Sequence, residues 1–273
     1  MRATFITLFF SLILNTTFAA DLPENKTTPV VDLATAQAFD AASTDRWPTS
    51  LTYYNPLYFI TGKPSTKVKF GFKYQPLRNF PLYLGYQQLL IWDLFKDSAP
   101  IRDTNYNPDV FYRLSFKPYN VLNSIDFGLF EHSSNGKDGA QSRSYDESYV
   151  RFNLGHRFPS FRLDSTFKAY ATYILERNNE DLRDYLGDWS LMFRIHGFEQ
   201  PLMKGVAFTA RVFPGGRRSG IDFTKGAQEA GIEIKIPYLP LETRIYIQYY
   251  HGYVESLLNY NQSQSAFRAG LAL

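Results

Sequence analysis

A histidine and a serine two residues apart, His132 and Ser134, open a hairpin whose return limb carries Asp146. On an extended strand the side chains of residues i and i+2 leave from one face, about 7 Å apart along it. The polar, Gly-bearing stretch from Asn135 to Ser142 turns the chain back, and the return strand begins near Tyr145. There Asp146 has the parity of Val150, Phe152 and Leu154, the apolar face of that strand. A carboxylate among apolar neighbours needs a compensating partner, and a histidine on the adjacent strand is one. Serine, imidazole and carboxylate together make an acyl-transfer triad, in which the imidazole takes the serine proton and the acid fixes its tautomer. His-x-Ser is a common spacing, and a His–Asp pair at a strand end also serves as plain structure, so the spacing alone leaves both readings open.

The elements that would position these residues follow a period of two. In Lys67-Val68-Lys69-Phe70-Gly71-Phe72-Lys73-Tyr74, Val68, Phe70, Phe72 and Tyr74 share one face, and the three lysines share the other. The pattern returns at 149–154, at 206–212, where Val206, Phe208, Ala210 and Val212 alternate with Ala207, Thr209 and Arg211, and at 232–236, where Ile232, Ile234 and Ile236 flank Glu233 and Lys235. Further strands are expected near 51–61, 82–92, 108–117, 124–133, 164–175, 188–198, 241–250 and 266–273. This makes twelve, an even number, each of about 8 to 12 residues, the length that crosses a tilted bilayer wall. Tyr and Phe crowd the strand ends as an aromatic girdle would. The expectation is therefore an all-β chain, a twelve-stranded antiparallel transmembrane β-barrel over 51–273, with a secreted β-sandwich as the competing architecture. No internal repeat points to a propeller.

Composition agrees with strands: Phe numbers 24 and Tyr 20 among 273 residues, with 44% hydrophobic content. The absence of cysteine excludes a disulfide framework and thiolate chemistry. A formal charge of +3 without a basic cluster makes nucleic acid an improbable partner. Met1-Arg2, the apolar run from Thr4 to Leu14 and the small-residue exit Thr17-Phe18-Ala19-Ala20 read as a signal peptide over 1–19. Residues 20–50, polar and Pro-bearing, read as a periplasmic N-terminal segment.

The stretch His132-Ser133-Ser134-Asn135-Gly136, followed by Ser142-Arg143-Ser144-Tyr145, resembles the signature of the bacterial outer-membrane phospholipase A family. The resemblance extends in consistent order to Lys67-Val68-Lys69-Phe70, Thr104-Asn105-Tyr106-Asn107-Pro108 and Gly252-Tyr253-Val254-Glu255-Ser256-Leu257, covering roughly 51–273. It implies a twelve-stranded barrel in the outer membrane with its site on the outer wall. Ser134 is then the nucleophile, His132 the general base and Asp146 the third member, where the family usually has asparagine. An aspartate also accepts from the imidazole N–H and adds charge stabilisation to the imidazolium. The resemblance further implies a calcium ion, with Ser98, Lys137 and Ser142 at the matching positions. Lys137 replaces an arginine, which is tolerable if its backbone carbonyl is the ligand, and oxygen-only ligation suits calcium.

Also implied are phospholipid and lysophospholipid substrates and a homodimer as the active form, two barrels completing the calcium site and acyl groove. Gln88 matches a polar residue at the family's intramembrane interface, though a lumen-facing amide would read the same. Trp92 and Tyr106 match positions that contact acyl chain or headgroup, and as girdle aromatics would look alike. His156, His196 and His251 match nothing and receive no role. The competing functional class is a non-enzymatic barrel, a porin or adhesin retaining the hairpin. The mixed charges expected inside, Lys67, Lys69, Arg151, Arg211, Glu233 and Lys235, suit a plugged interior better than a pore.

Overall fold

Alternation decides the architecture. In a computed structural model that describes residues 50–273 except 55, 78, 117–120, 176 and 217–219, large apolar residues of the alternating stretches face outward and the charged residues between them inward. Ile232 and Ile234 are exposed, while Glu233 between them is buried. Phe208 is exposed and Ala207 buried; Phe72 is 44% exposed, whereas Lys73 beside it is fully covered. This inverts a soluble protein and is the arrangement of a wall whose outer side meets lipid. The expected signal peptide and N-terminal segment fall outside the described residues.

The strands, in chain order, are β1 (Ser50–Tyr53), β2 (Tyr58–Lys63), β3 (Thr66–Gln75), β4 (Leu82–Trp92), β5 (Ile101–Ser115), β6 (Leu122–Ser134), β7 (Ser144–Arg157), β8 (Arg162–Leu175), β9 (Trp189–His196), β10 (Val206–Gly215), β11 (Asp222–Lys235), β12 (Arg244–Gly252) and β13 (Gln264–Ala272). A short helix, α1 (Leu182–Leu186), sits between β8 and β9. All described pairings are antiparallel, and β2 pairs with both β3 and β13, closing the sheet. β1 and β2 lie along the same neighbour, β3, with Tyr53 opposite Phe72 and Tyr58 opposite Lys69. They are two pieces of one barrel strand, so the barrel has twelve positions. At the break Tyr54 is 1% exposed and donates to Asp109.

The interior is filled by paired charge. Arg113 and Arg151 both donate to Asp126, through Nε at 2.6 and 2.9 Å. Arg194 donates to Glu233 at 2.6 Å, and Arg268 to Glu255 at 2.6 Å. Removing one partner of such a buried pair costs about 3–5 kcal/mol, because the other charge is left uncompensated. The loop 253–263 folds over one mouth of the barrel, burying Glu255, Ser256 and Leu257. A polar cavity of about 300 Å³ remains inside, with Lys69, Arg211 and Glu229 among its walls. The wall itself continues through the polar stretches before residue 108 and before residue 232, where β5 and β11 run further than apolar alternation suggested.

Candidate active site on the outer wall

Unbroken alternation along β6 would spoil the expected triad. Phe127 and Leu129 are 37% and 57% exposed, and counting on by twos would carry Glu131 and Ser133 outward and turn His132 and Ser134 into the lumen. An extra residue prevents this. Gly128 is opposite Tyr149 and Glu131 opposite Glu147, so β6 takes three steps where β7 takes two. On the other side Val110 meets Phe130 and Phe111 meets Gly128, so the same extra residue is seen from β5. Leu129 and Phe130 both point outward across this β-bulge, and parity then resumes in the opposite sense, with Glu131 and Ser133 buried. Bulges re-aim side chains in this way. Gly128 makes the close packing possible, since a Cβ there would lie 2.1 Å from the Tyr149 ring.

Past the bulge, His132 and Asp146 are direct cross-strand neighbours. His132 Nδ1 lies 2.6 Å from Asp146 Oδ1, so Nδ1–H donates to the carboxylate and Nε2 is the nitrogen left for a serine. The imidazole side chain is 36% exposed, open to the outside, while the carboxylate is 9% exposed. Phe130, two residues earlier on the same face, stacks on the imidazole at 6.3 Å between centroids. Ser134 lies opposite Ser144 on β7 and Tyr106 on β5. Its Oγ accepts from the Gly136 N–H at 3.1 Å, which sets a backbone donor beside the oxygen. Gly136 has φ of 64°, and a Cβ there would meet the Tyr106 ring at 2.8 Å, so both backbone and space require glycine.

The loop after Ser134 is folded on Asn135, which is 4% exposed. Its Oδ1 accepts from the N–H groups of Lys137 and Arg143 at 3.3 and 3.0 Å, and its Nδ2 donates to the Gln141 carbonyl at 2.8 Å. Lys137 and Ser142 are thus brought together on one short loop. The Arg143 guanidinium donates to the carbonyls of Ala140 and Ser142, at 2.9 and 2.7 Å, leaving the Ser142 hydroxyl as that residue's open oxygen. From the next loop Asn179 brackets the Ser144 peptide, donating to its carbonyl at 3.1 Å and accepting from its N–H at 3.4 Å.

Ser98 stands on a separate loop between β4 and β5, exposed and with φ of 61°. Asp93 anchors that loop, taking Lys96 Nζ at 2.8 Å and Arg102 Nε at 2.5 Å. Burial pushes the Asp93 carboxyl up, but these two cations outweigh it and hold it below its ordinary value. Among the described residues no three His, Asp or Glu side chains converge as a metal site. Ser98, Lys137 and Ser142 carry hydroxyl and backbone carbonyl oxygens, donors of the kind calcium accepts.

The remaining residues singled out in the sequence also find places. Gln88 is outward on β4, opposite Phe70 and Tyr106, two strands from Ser134 with Tyr106 of β5 between, and its Oε1 accepts from the Tyr86 hydroxyl at 3.0 Å. Trp92 donates to the Ala99 carbonyl at 2.8 Å, tying the Ser98 loop to the girdle. His156 packs edge-on against Phe158, His196 pairs with Asp164 and His251 with Ser265. The Gly136 donor, the Phe130 stack and the Asn179 bracket are not expected from the hairpin motif; only Asn135-Gly136, a turn-forming dipeptide, announces itself in sequence.

A closed antiparallel barrel with apolar exterior, charged interior and a His–Asp pair beside a serine on its outer wall defines an outer-membrane β-barrel with a hydrolase-like site. The family model described as Phospholipase A1 matches residues 61–273. The Phospholipase A1 of Salmonella typhimurium is 26% identical over 218 residues, 74% of this chain and 68% of its own length. That of Klebsiella pneumoniae is 27% identical over 218 residues, 74% of this chain and 69% of its own. Among solved structures, the Salmonella typhi outer membrane phospholipase dimer with bound calcium superimposes with a TM-score of 0.67 at 22% identity, over 85% of this chain and 96% of that one. Outer membrane phospholipase A from Escherichia coli gives 0.65 at 22% identity, over 82% and 94%. The chain belongs to the phospholipase A1 family, and with it to the phospholipases.

Proposed function

We propose that this barrel hydrolyses the acyl esters of phospholipids and lysophospholipids in the outer membrane, in a calcium-dependent reaction, with Ser134 as nucleophile, His132 as general base and Asp146 as the orienting acid. The observation that carries the reading is the 2.6 Å contact between His132 and Asp146, with Ser134 two residues along the same outward face. Asp146 fixes the proton on Nδ1, so Nε2 is the basic nitrogen. Ser134 Oγ attacks the ester carbonyl carbon as His132 takes its proton. Negative charge then collects on the carbonyl oxygen, and the Gly136 N–H, 3.1 Å from Ser134 Oγ, is placed to receive it. The imidazolium returns the proton to the departing glycerol oxygen, and water, activated by the same histidine, releases the fatty acid.

Ser98, Lys137 through its carbonyl and Ser142 through its hydroxyl are the residues we propose for calcium. When bound, the ion would supply Lewis-acid polarisation of the ester carbonyl. The loop separation of Ser98 from the other two agrees with a site completed between two copies of the chain. The calcium-bound dimer of the Salmonella typhi protein supports that reading, as does Gln88, a polar side chain on the outer face beside the site. The paired charges of the interior and the loop over the mouth favour this enzyme over a pore. The test is release of fatty acid from a phospholipid by detergent-refolded protein, with and without calcium, with Ser134→Ala as the blank. No release from the parent protein in either condition overturns the reading.

A further inference from the structure

We propose that Ser148 is a positioning residue for this reaction: its hydroxyl caps the backbone carbonyl exposed by the β6 bulge, and so holds the register that turns His132 and Ser134 to the outside. The proposal rests on Ser134 being the nucleophile.

A bulge in a lipid-facing wall carries a specific cost. In the described pairings Leu129 is matched to no residue of β5 or β7, and its side chain is 57% exposed on the outer face. A peptide group displaced from the ladder needs another partner, because hydrocarbon offers none. Ser148 supplies it. It is the one residue of β7 between Tyr149, opposite Gly128, and Glu147, opposite Glu131, and so faces the two-residue side of the bulge. Its Oγ donates to the Leu129 carbonyl at 3.2 Å. Serine otherwise has no evident place on an outer face that continues with Val150, Phe152 and Leu154.

The inner side of the same rung has its own fastening. Glu131 and Glu147, opposite one another, both receive Lys168 Nζ from β8, the Glu131 contact being 2.7 Å. That clamp fixes which residues point inward, whereas the Ser148 cap addresses the carbonyl that the extra residue displaces. Without the cap, a β6 one residue shorter in its pairing would satisfy more backbone, at the expense of turning the catalytic side chains inward. The cap thus acts on His132 and Ser134 through the backbone and touches no substrate.

The experiment compares Ser148→Val with Ser148→Thr, which differ by little more than the hydroxyl. Each is refolded in detergent, kcat and KM are measured on phospholipid micelles at saturating calcium, and the rate at which a fluorophosphonate labels Ser134 is followed. Ser148→Val should lose about tenfold or more in kcat and in labelling rate with little change in KM, as small misplacements of reacting groups do. Ser148→Thr should keep both near the parent values. Should the Val variant not refold, Ser148→Ala takes its place with the same expectation. Parent-like kcat and labelling in Ser148→Val or Ser148→Ala would overturn the cap while leaving the triad standing. A parent protein that neither hydrolyses phospholipid nor labels at Ser134 would overturn both.

Discussion

Two histidine–aspartate pairs bridge neighbouring strands of this barrel, and they differ instructively. His132 Nδ1 meets Asp146 at 2.6 Å near the end that carries the 135–143 loop, and His196 Nε2 meets Asp164 at 2.7 Å at the far end of β9. By distance they are alike. The His132 side chain is 36% exposed on the outer wall, its carboxylate serves the histidine, and a serine follows two residues on along the same face. The His196 side chain is 6% exposed on the inner face, and Asp164 is shared with Arg162 Nε at 2.9 Å. An arginine beside the carboxylate neutralises it and makes the second pair a structural tie. Access and a neighbouring hydroxyl, more than the pair itself, separate the proposed base from a strut.

The comparison breaks most visibly at the first pair. Ser134→Ala and His132→Ala should each remove all but about a thousandth of phospholipid hydrolysis, with heat-modifiable mobility of the barrel retained on electrophoresis. Ser133→Ala, one residue away but facing inward, should keep most of the activity; the reverse outcome would mean that the β6 register is wrong. Chelation of calcium should likewise abolish turnover in the parent protein, and Ser98→Ala should raise the calcium needed for half-maximal activity. Unchanged turnover in chelator would remove the metal from the mechanism without touching the triad.

The second pair should answer on a different axis. His196→Ala should leave specific activity per folded molecule near the parent value but lower stability by about 1–3 kcal/mol, read from thermal or denaturant unfolding in detergent. Loss of kcat with unchanged stability would erase the distinction drawn between the two pairs. Asp146→Asn sharpens it further: an asparagine oxygen still accepts from Nδ1–H, so activity should stay within about an order of magnitude of the parent. A variant as inactive as Ser134→Ala would show that the carboxylate does more than orient the ring. The smallest effect is expected at Asp93→Asn, which loosens the Ser98 loop and should raise the calcium requirement a few-fold. Because Lys96 and Arg102 hold the Asp93 carboxyl below its ordinary value of 3.8, the clamp's contribution is complete above that value and is lost only as pH falls through the lowered one. The Asp93→Asn difference should therefore persist unchanged at neutral and mildly acid pH.

Much of the wall was legible from residue order, because β3, β7, β10 and the end of β11 alternate strictly and lipid enforces that alternation on whatever spans it. The beginnings of β5 and β11 were not. Asp103 and Asn105 fall outside the strand expected at 108–117, yet they line the buried interior of a strand that starts at Ile101. A water-lined or charge-filled lumen accepts polar side chains that a soluble core would reject. At the site, Asp146 stood out by its parity on the return strand, and His132 as the partner that such a carboxylate needs. The bulge that makes the parity work leaves no mark in composition: Phe127-Gly128-Leu129-Phe130 shows only an apolar run, and two neighbouring strands were needed to reveal the extra residue. The inward turn of Tyr54 at the break was hidden as well, since its partner Asp109 lies 55 positions away.

The charged interior has a consequence for how such a chain reaches its membrane. Lysine, arginine and glutamate recur along the inward faces of β3 and β11, so a long stretch of either drawn out as a helix would present those charges to lipid. The mean hydropathy of the chain is −0.29. A helical bilayer crossing needs about 20 predominantly apolar residues, and insertion of each central lysine, arginine or aspartate costs about 2.5–3.5 kcal/mol. The strands would therefore pass a helix-inserting translocon without being retained, and become membrane-compatible only when closure hides their inward rows. The ion pairs that fasten the finished barrel are, before assembly, the feature that keeps its segments out of the wrong bilayer.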